Sequence, residues 1–376
     1  MNVTGQQVET VLLDRIQVGR QFAGGGEGIV YEVAGHNEYL IKVYYPDESP
    51  DKLDQLYAYK RQAYQSFAAI KLSKTKELRC LPLEYVVVNG GTPAYLMRRA
   101  QGILLTDLFP QIRGMVLEER EALGRALGHA IAQLHSSQIV QADLKLSNYI
   151  AEWLGNGWIV YVLDIDGGGY FGPQAAHFAP STVPAPLYMS PELAQLNWVK
   201  LWAKPHLRKQ PDLWALAVLL YQIIVDDDGP FSARPTKTHI VGYTPYHRAA
   251  IIDPQVEWPQ PWQMRQLEQL GLDAMLVDRF SYVFGKRRFE IERYPRPEAQ
   301  DWRFYLDHVL QHGGQNPYKA NLASSGNGGR PGGNNNGGSS ANGGSAGGSK
   351  SSGSFFNRLR QQIWNWKQRL VGRFSG

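Results

Sequence analysis

The stretch 139–148, IVQADLKLSN, sets Asp143, Lys145 and Asn148 on one short run of chain. A carboxylate can accept a hydroxyl proton, an ammonium can neutralise a moving phosphate, and an amide oxygen can reach a metal ion. Together these suit phosphoryl transfer. Upstream, from about Val116 to His135, apolar residues recur at helical spacing and predict a buried helix. Downstream, NYIAEWL and WIVYVLDID flank Gly155-Asn156-Gly157, a hairpin signal. The expected order is helix, loop, hairpin. Spacing of this kind also arises by chance in surface loops, so the rest of the chain must carry the weight.

Residues 22–31, FAGGGEGIVY, put a glycine cluster between two strand-like segments, and YLIKVYY follows with Lys42. Glycines let backbone N–H groups approach phosphate oxygens, and a lysine on a neighbouring strand can reach the same phosphates. Further on, Asp164-Ile165-Asp166-Gly167 follows the apolar run YVL. Ser190-Pro191-Glu192 comes next, then Asp212-Leu213-Trp214 at the head of a long apolar run, and finally YPRPEAQDW with Arg296.

In this order the segments resemble the protein kinase family over residues 18–310, and look most like divergent bacterial serine/threonine kinases. The resemblance implies a bilobal α+β fold, with a small, mostly β N-lobe over about 1–99 and a larger helical C-lobe over about 100–312. It also implies use of ATP with Mg²⁺, or Mn²⁺, to phosphorylate a Ser or Thr hydroxyl of a protein substrate. By that likeness Asp143 is the catalytic carboxylate and Lys145 stabilises the transferred group. Gly24, Gly25, Gly26, Gly28, Val30 and Lys42 hold the nucleotide. Asn148 and Asp164 hold the metal, with Asp166 the alternative ligand if the register slips by two. Glu192, Asp212 and Arg296 are structural, Glu192 and Arg296 forming a buried pair.

Several positions depart from the family pattern. Ala23 stands where the first loop glycine belongs, and Gln141-Ala142 replace the His-Arg before the catalytic Asp. Because that Arg usually grips a phosphorylated activation loop, its loss implies activity that needs no such phosphorylation, and leaves Ser181 and Thr182 without a receptor. The expected small-lobe helix, 51–72, contains no Glu to pair with Lys42; Asp54 is the substitute within reach. These departures keep a pseudokinase, a nucleotide-binding scaffold, as the alternative. A small-molecule phosphotransferase is the lesser rival, since Pro-Glu followed by Asp-x-Trp is what protein kinases use to build a protein-substrate platform. Lys200, Lys204, Arg208 and Lys209 read as a solvated loop or as a contact for acidic substrate. Asp226-Asp227-Asp228 reads as loop, and Asp164-Ile165-Asp166-Gly167 lacks the closing Glu of a calcium loop.

Composition narrows the setting. The single cysteine, Cys80, excludes a disulfide framework or a cysteine zinc site and fits a reducing compartment. The N-terminus lacks a secretory pattern, and the run Leu213–Val225 is too short to span a bilayer, so a cytoplasmic protein is expected. The net charge of +5 is concentrated in the tail: from Gly313 onward there are eight basic residues and no acidic ones, leaving 31 basic against 34 acidic before it. Bulk charge therefore argues against a nucleic-acid partner. Residues 313–353 are rich in Gly, Asn and Ser, the composition of a disordered tether of about 40 residues spanning roughly 35 Å. In 354–376, Phe355, Leu359, Ile363, Trp366 and Leu370 fall on one helical stripe flanked by Arg and Lys. That basic amphipathic pattern fits a membrane surface, such as the inner face of a membrane, or docking on a partner protein.

Overall fold

The computed structural model describes residues 2–45, 75–88, 91–112, 114–165, 167–171, 179–182, 184–225, 229–231 and 251–311. The expected helix 51–72 with Asp54, the turn residues Asn89 and Gly90, Asp166, Asp226–Asp228, and the tether and tail from 313 onward lie outside them. The described residues all fall within one folded unit, Met1–Gly326.

The N-terminal part is a six-stranded antiparallel sheet. Its strands are β1 (Gln7–Thr10), β2 (Asp14–Gly24), β3 (Gly28–Ala34), β4 (Tyr39–Tyr44), β5 (Pro82–Val88) and β6 (Thr92–Arg98), in the order β1-β2-β3-β4-β6-β5. Every residue of β4 is buried, because the sheet is covered on both faces there. The period of two divides the strand. Ile41 and Val43 join Val18, Val33, Ala94 and Leu96 in one apolar cluster, while Leu40 and Tyr44 join Tyr95, Met97 and Val30 in another. Lys42, between Leu40 and Tyr44, stands on the second face.

The remainder is mostly helical. It comprises β7 (Ile103–Leu104), α1 (Leu105–Ile112), α2 (Leu117–Ser136), β8 (Ile139–Val140), β9 (Tyr149–Trp153), β10 (Trp158–Val162) and β11 (Gly169–Tyr170). Then follow α3 (Pro191–Gln195), α4 (Trp198–Trp202), α5 (Gln210–Val225), α6 (Pro261–Leu270), α7 (Ala274–Phe284) and α8 (Ala299–Gln311). All of α5 is buried, as a helix apolar on every side must be. Trp214 and Tyr221 of α5 meet Phe284 of α7 edge to face at 5.3 and 6.1 Å. The strands β9 and β10 pair as a hairpin from Trp153↔Trp158 to Tyr149↔Val162. The sequence Gly155-Asn156-Gly157 supplies its turn, with Gly155 at φ 96°. No helix among the described residues is long and apolar enough to cross a membrane.

Candidate active site

The loop between β8 and β9 is suspended from one buried carboxylate. Asp212, 1% exposed at the start of α5, accepts the backbone N–H of Gln141 at 2.8 Å and of Ala142 at 2.9 Å. His135 Nε2 lies 3.2 Å from the same carboxylate. Ala142 has φ 68°, a left-handed conformation that costs a non-glycine residue about 1 kcal/mol or more. Asp212 offsets that strain by fixing both amides of the bend.

Beyond the bend the three reactive side chains converge. Lys145 Nζ lies 2.6 Å from Asp143 Oδ2. Asn148 donates Nδ2 to the Asp143 carbonyl at 2.7 Å, which leaves its Oδ1 as the end able to meet a cation. The 3₁₀ turn Leu146–Asn148 closes the loop and feeds directly into β9.

The second half of the site is brought alongside by backbone and by Gln141. Leu163 donates its N–H to the Asn148 carbonyl at 2.9 Å. Gln141, 1% exposed, donates Nε2 to the carbonyls of Leu163 at 2.7 Å and Asp164 at 3.2 Å, and its Oε1 accepts the Tyr149 hydroxyl at 2.6 Å. Burial raises the Tyr149 pKa well above its usual value, with the Asp212 and Asp143 charges adding to the effect, so the phenol stays a donor. Asp164 itself is left-handed, φ 50°, and its carboxylate meets Lys42 Nζ at 3.2 Å. Lys42 also lies over the rings of Tyr44 and Tyr95, at 5.4 and 5.8 Å. The Lys42 side chain is 11% exposed and that of Asp164 41%, so the pair sits at the edge of solvent.

The glycine turn joins β2 and β3. The Gly25 N–H meets the Gly28 carbonyl at 2.9 Å. Gly24, Gly25 and Gly26 are exposed, whereas Gly28 is buried where a Cβ would come within 2.4 Å of the Val43 carbonyl oxygen. Val30, on β3, packs against the cluster that borders Lys42.

Glu192 and Arg296 lie deeper. Arg296 forks Glu192, Nη1 to Oε1 at 2.6 Å and Nη2 to Oε2 at 2.8 Å, and gives a further bond from Nη1 to the Gln210 carbonyl at 2.8 Å. Its guanidinium also lies 5.0 Å from the centre of the Trp214 ring. Of the basic residues before α5, Lys204 pairs with Glu292, Lys209 pairs with Glu298 at 2.6 Å, and Arg208 lies over Trp202. Three of the four cations are thus engaged within the fold. Cys80 is buried and its thiol pKa is pushed up to about 12 by burial, which suits a small apolar residue rather than a nucleophile.

The donors Asn148 Oδ1 and Asp164 are hard oxygens, and they fit an ion such as Mg²⁺, which takes one or two protein oxygens and completes its shell with phosphates and water. No group of three His, Cys, Asp or Glu able to hold a metal occurs among the described residues. In the sequence Gln141 reads only as a lost histidine, and Tyr149 carries no signal. Gln141 acts through the backbone carbonyls of Leu163 and Asp164 and Tyr149 through the Gln141 side chain, contacts that leave no residue signature.

No protein-family model matches the chain. Three curated proteins resemble part of it, each described as "NUAK family SNF1-like kinase 2". The rat protein is 32% identical over 124 residues, covering 32% of this chain and 18% of its own length. Those of Pongo abelii and of human are 31% identical over 123 residues, with the same coverage. This chain thus matches less than a fifth of the length of these relatives. Over about a third of its own length, the chain is similar to these kinases, a protein-kinase-like resemblance.

Proposed function

We propose that the chain is a bilobal serine/threonine protein kinase that transfers the γ-phosphate of ATP to a protein hydroxyl. The observation that carries this reading is the hydrogen-bonded assembly in which the Leu163 backbone links Asp143, Lys145 and Asn148 to Gln141, Asp164 and Lys42, residues that lie as far as 122 positions apart in the sequence. In it, Asp143 orients the acceptor hydroxyl and takes its proton, while Lys145, already beside that carboxylate, neutralises charge on the transferred group. Lys42 holds the nucleotide phosphates, and the glycine turn offers its backbone N–H groups to them. A Mg²⁺ ion, when bound through Asn148 and Asp164, supplies further charge neutralisation at the phosphates. Glu192 and Arg296 hold the platform that a peptide acceptor would need. The stretch 354–376 is proposed to bring the enzyme to a membrane surface or a partner protein, on the strength of its sequence pattern alone.

Titration calorimetry with Mg·ATP tests the nucleotide half of this proposal. Wild type should bind, and Asp164→Asn should lose tenfold or more of its metal-dependent affinity while keeping its thermal midpoint. Failure of wild type to bind nucleotide would overturn the reading. Binding without any phosphoryl transfer would support the scaffold alternative, which the replacement of His-Arg by Gln141-Ala142 favours.

A further inference from the structure

The short helix α4 follows the Ser190-Pro191-Glu192 segment, and its two tryptophans reach back to the chain that leaves the metal-side loop. Two runs meet there, 167–171 and 179–182. The first pairs with β8, Gly169↔Val140 and Tyr170↔Ile139, and Phe171 donates its N–H to the Gln138 carbonyl at 2.8 Å. The second run returns onto the first. Ser181 donates its N–H to the Gly167 carbonyl at 2.9 Å, and a Cβ on Gly167 would come within 2.5 Å of the Thr182 side chain.

The tryptophans of α4 close this contact from outside. Trp198 donates Nε1–H to the Thr182 carbonyl at 2.8 Å. Trp202 packs so closely on the first run that a Cβ on Gly169 would lie 2.6 Å from its ring and 2.6 Å from Pro180. Both are buried, 7% and 4% exposed, in one apolar cluster with Val140, Ala142, Leu201 and Leu207, against which Phe171 and Ala179 pack. Ala142 is therefore not an empty position. The methyl that stands where the kinase likeness expects an arginine lies in the apolar cluster that α4 builds.

We propose that Trp198 and Trp202 are positioning residues that latch run 179–182 onto run 167–171, so that the acceptor side of the site is held by apolar packing and one indole hydrogen bond with no phosphate required. Its consequence for catalysis rests on the kinase reading; the latch itself does not. Gly169 is part of the device, since only a residue without a Cβ fits between Pro180 and Trp202.

The test is amide hydrogen exchange on the full chain, followed in peptides covering 167–171 and 179–182 with α5 as internal reference. Trp202→Ala should speed exchange in both runs by roughly tenfold or more while α5 keeps its protection, and Trp202→Phe should restore most of it. Gly169→Ala, which adds one methyl, should loosen both runs in the same way. Trp198→Phe keeps the ring but not the donor, and should speed exchange at 179–182 by about threefold to tenfold. Phosphatase treatment and the double variant Ser181→Ala, Thr182→Ala should leave protection unchanged. Where transfer is measurable, Trp202→Ala should raise the acceptor KM more than it lowers kcat. Uniform loss of protection across α5, unchanged exchange in both runs, or protection that disappears on phosphatase treatment would each overturn the latch. Because exchange is read without any transfer reaction, a failed latch and a failed kinase assignment give different results.

Discussion

The loop 141–148 is suspended from a buried carboxylate, whereas the glycine turn between β2 and β3 is exposed across Gly24, Gly25 and Gly26. Asp212 fixes two backbone amides of the loop, and Asn148 and Lys145 both close on Asp143. In the turn, a Cβ on Gly26 would meet nothing within 4 Å, and one on Gly25 only the Gly28 carbonyl at 3.9 Å. On the kinase reading proposed above, the contrast would divide the work: the loop that orients an acceptor would be set before substrate arrives, and the turn that covers the phosphates would take its final shape around the ligand.

The strongest way to break that contrast is to remove the anchor. Asp212→Ala leaves two buried amide donors and His135 without their acceptor, and should cost about 3–5 kcal/mol in chemical denaturation. Transfer should fall by about 100-fold or more even below the unfolding temperature, because Asp143 loses its register. Retention of full activity would show that the loop is held some other way. Glu192→Ala, which strands Arg296 in the core, should cost a similar 3–5 kcal/mol but affect acceptor binding more than ATP binding. Equal changes in the two would remove the distinction between platform and nucleotide site.

A buried carboxylate helps only when it has donors, and Glu121 on α2 supplies the opposite case. It is 0% exposed and neither oxygen has a hydrogen-bond partner. Burial raises its pKa to about 8, with Glu118 and Asp273 adding to the rise and Arg125 opposing it. Since the folded pKa lies above the unfolded value near 4.5, the favourable protonated state is fully available below that pH. Its benefit is lost as pH rises through about 8, at up to roughly 1.4 kcal/mol per pH unit. Glu121→Gln should therefore stabilise the protein by about 2–3 kcal/mol at pH 9 and by almost nothing at pH 4. A pH-independent difference in unfolding free energy would contradict the buried neutral acid.

The smallest effects belong to the open turn. Gly26→Ala should change stability by less than about 0.5 kcal/mol and raise the ATP KM by about threefold to tenfold. Gly28→Ala, which drives a methyl toward the Val43 carbonyl, should instead cost about 1–3 kcal/mol in stability. Comparable losses from both would erase the difference between the exposed turn and the packed strand that follows it.

Much of the site was legible because its chemistry is local. Asp143, Lys145 and Asn148 lie on one short loop, and the helix before and the hairpin after announce themselves by periodicity and by Gly-Asn-Gly. What stayed hidden is long-range. Gln141 reads as a lost histidine until its amide is seen on the carbonyls of Leu163 and Asp164. Lys204 and Lys209 read as a solvated loop or a contact for acidic substrate because their partners, Glu292 and Glu298, lie 88 and 89 residues away. Trp198 and Trp202 carry no sequence signal of their own, since a carbonyl acceptor and a glycine packing partner leave no pattern in their neighbourhood. The bend at Ala142 was invisible for the same reason: a methyl side chain gives no sign that its backbone is left-handed and held by Asp212.

Phosphate transfer by the proposed kinase loop is read most directly from the passage of labelled γ-phosphate from ATP onto protein, with Mg²⁺ or Mn²⁺, by wild type and by Asp143→Asn. Wild type should place label on Ser or Thr of the chain itself or of an added protein acceptor, reduced by about 100-fold or more in the variant, with nucleotide binding and thermal midpoint unchanged. Equal transfer by the two proteins, or none by wild type across a broad set of acceptors while nucleotide is bound, would contradict the kinase reading.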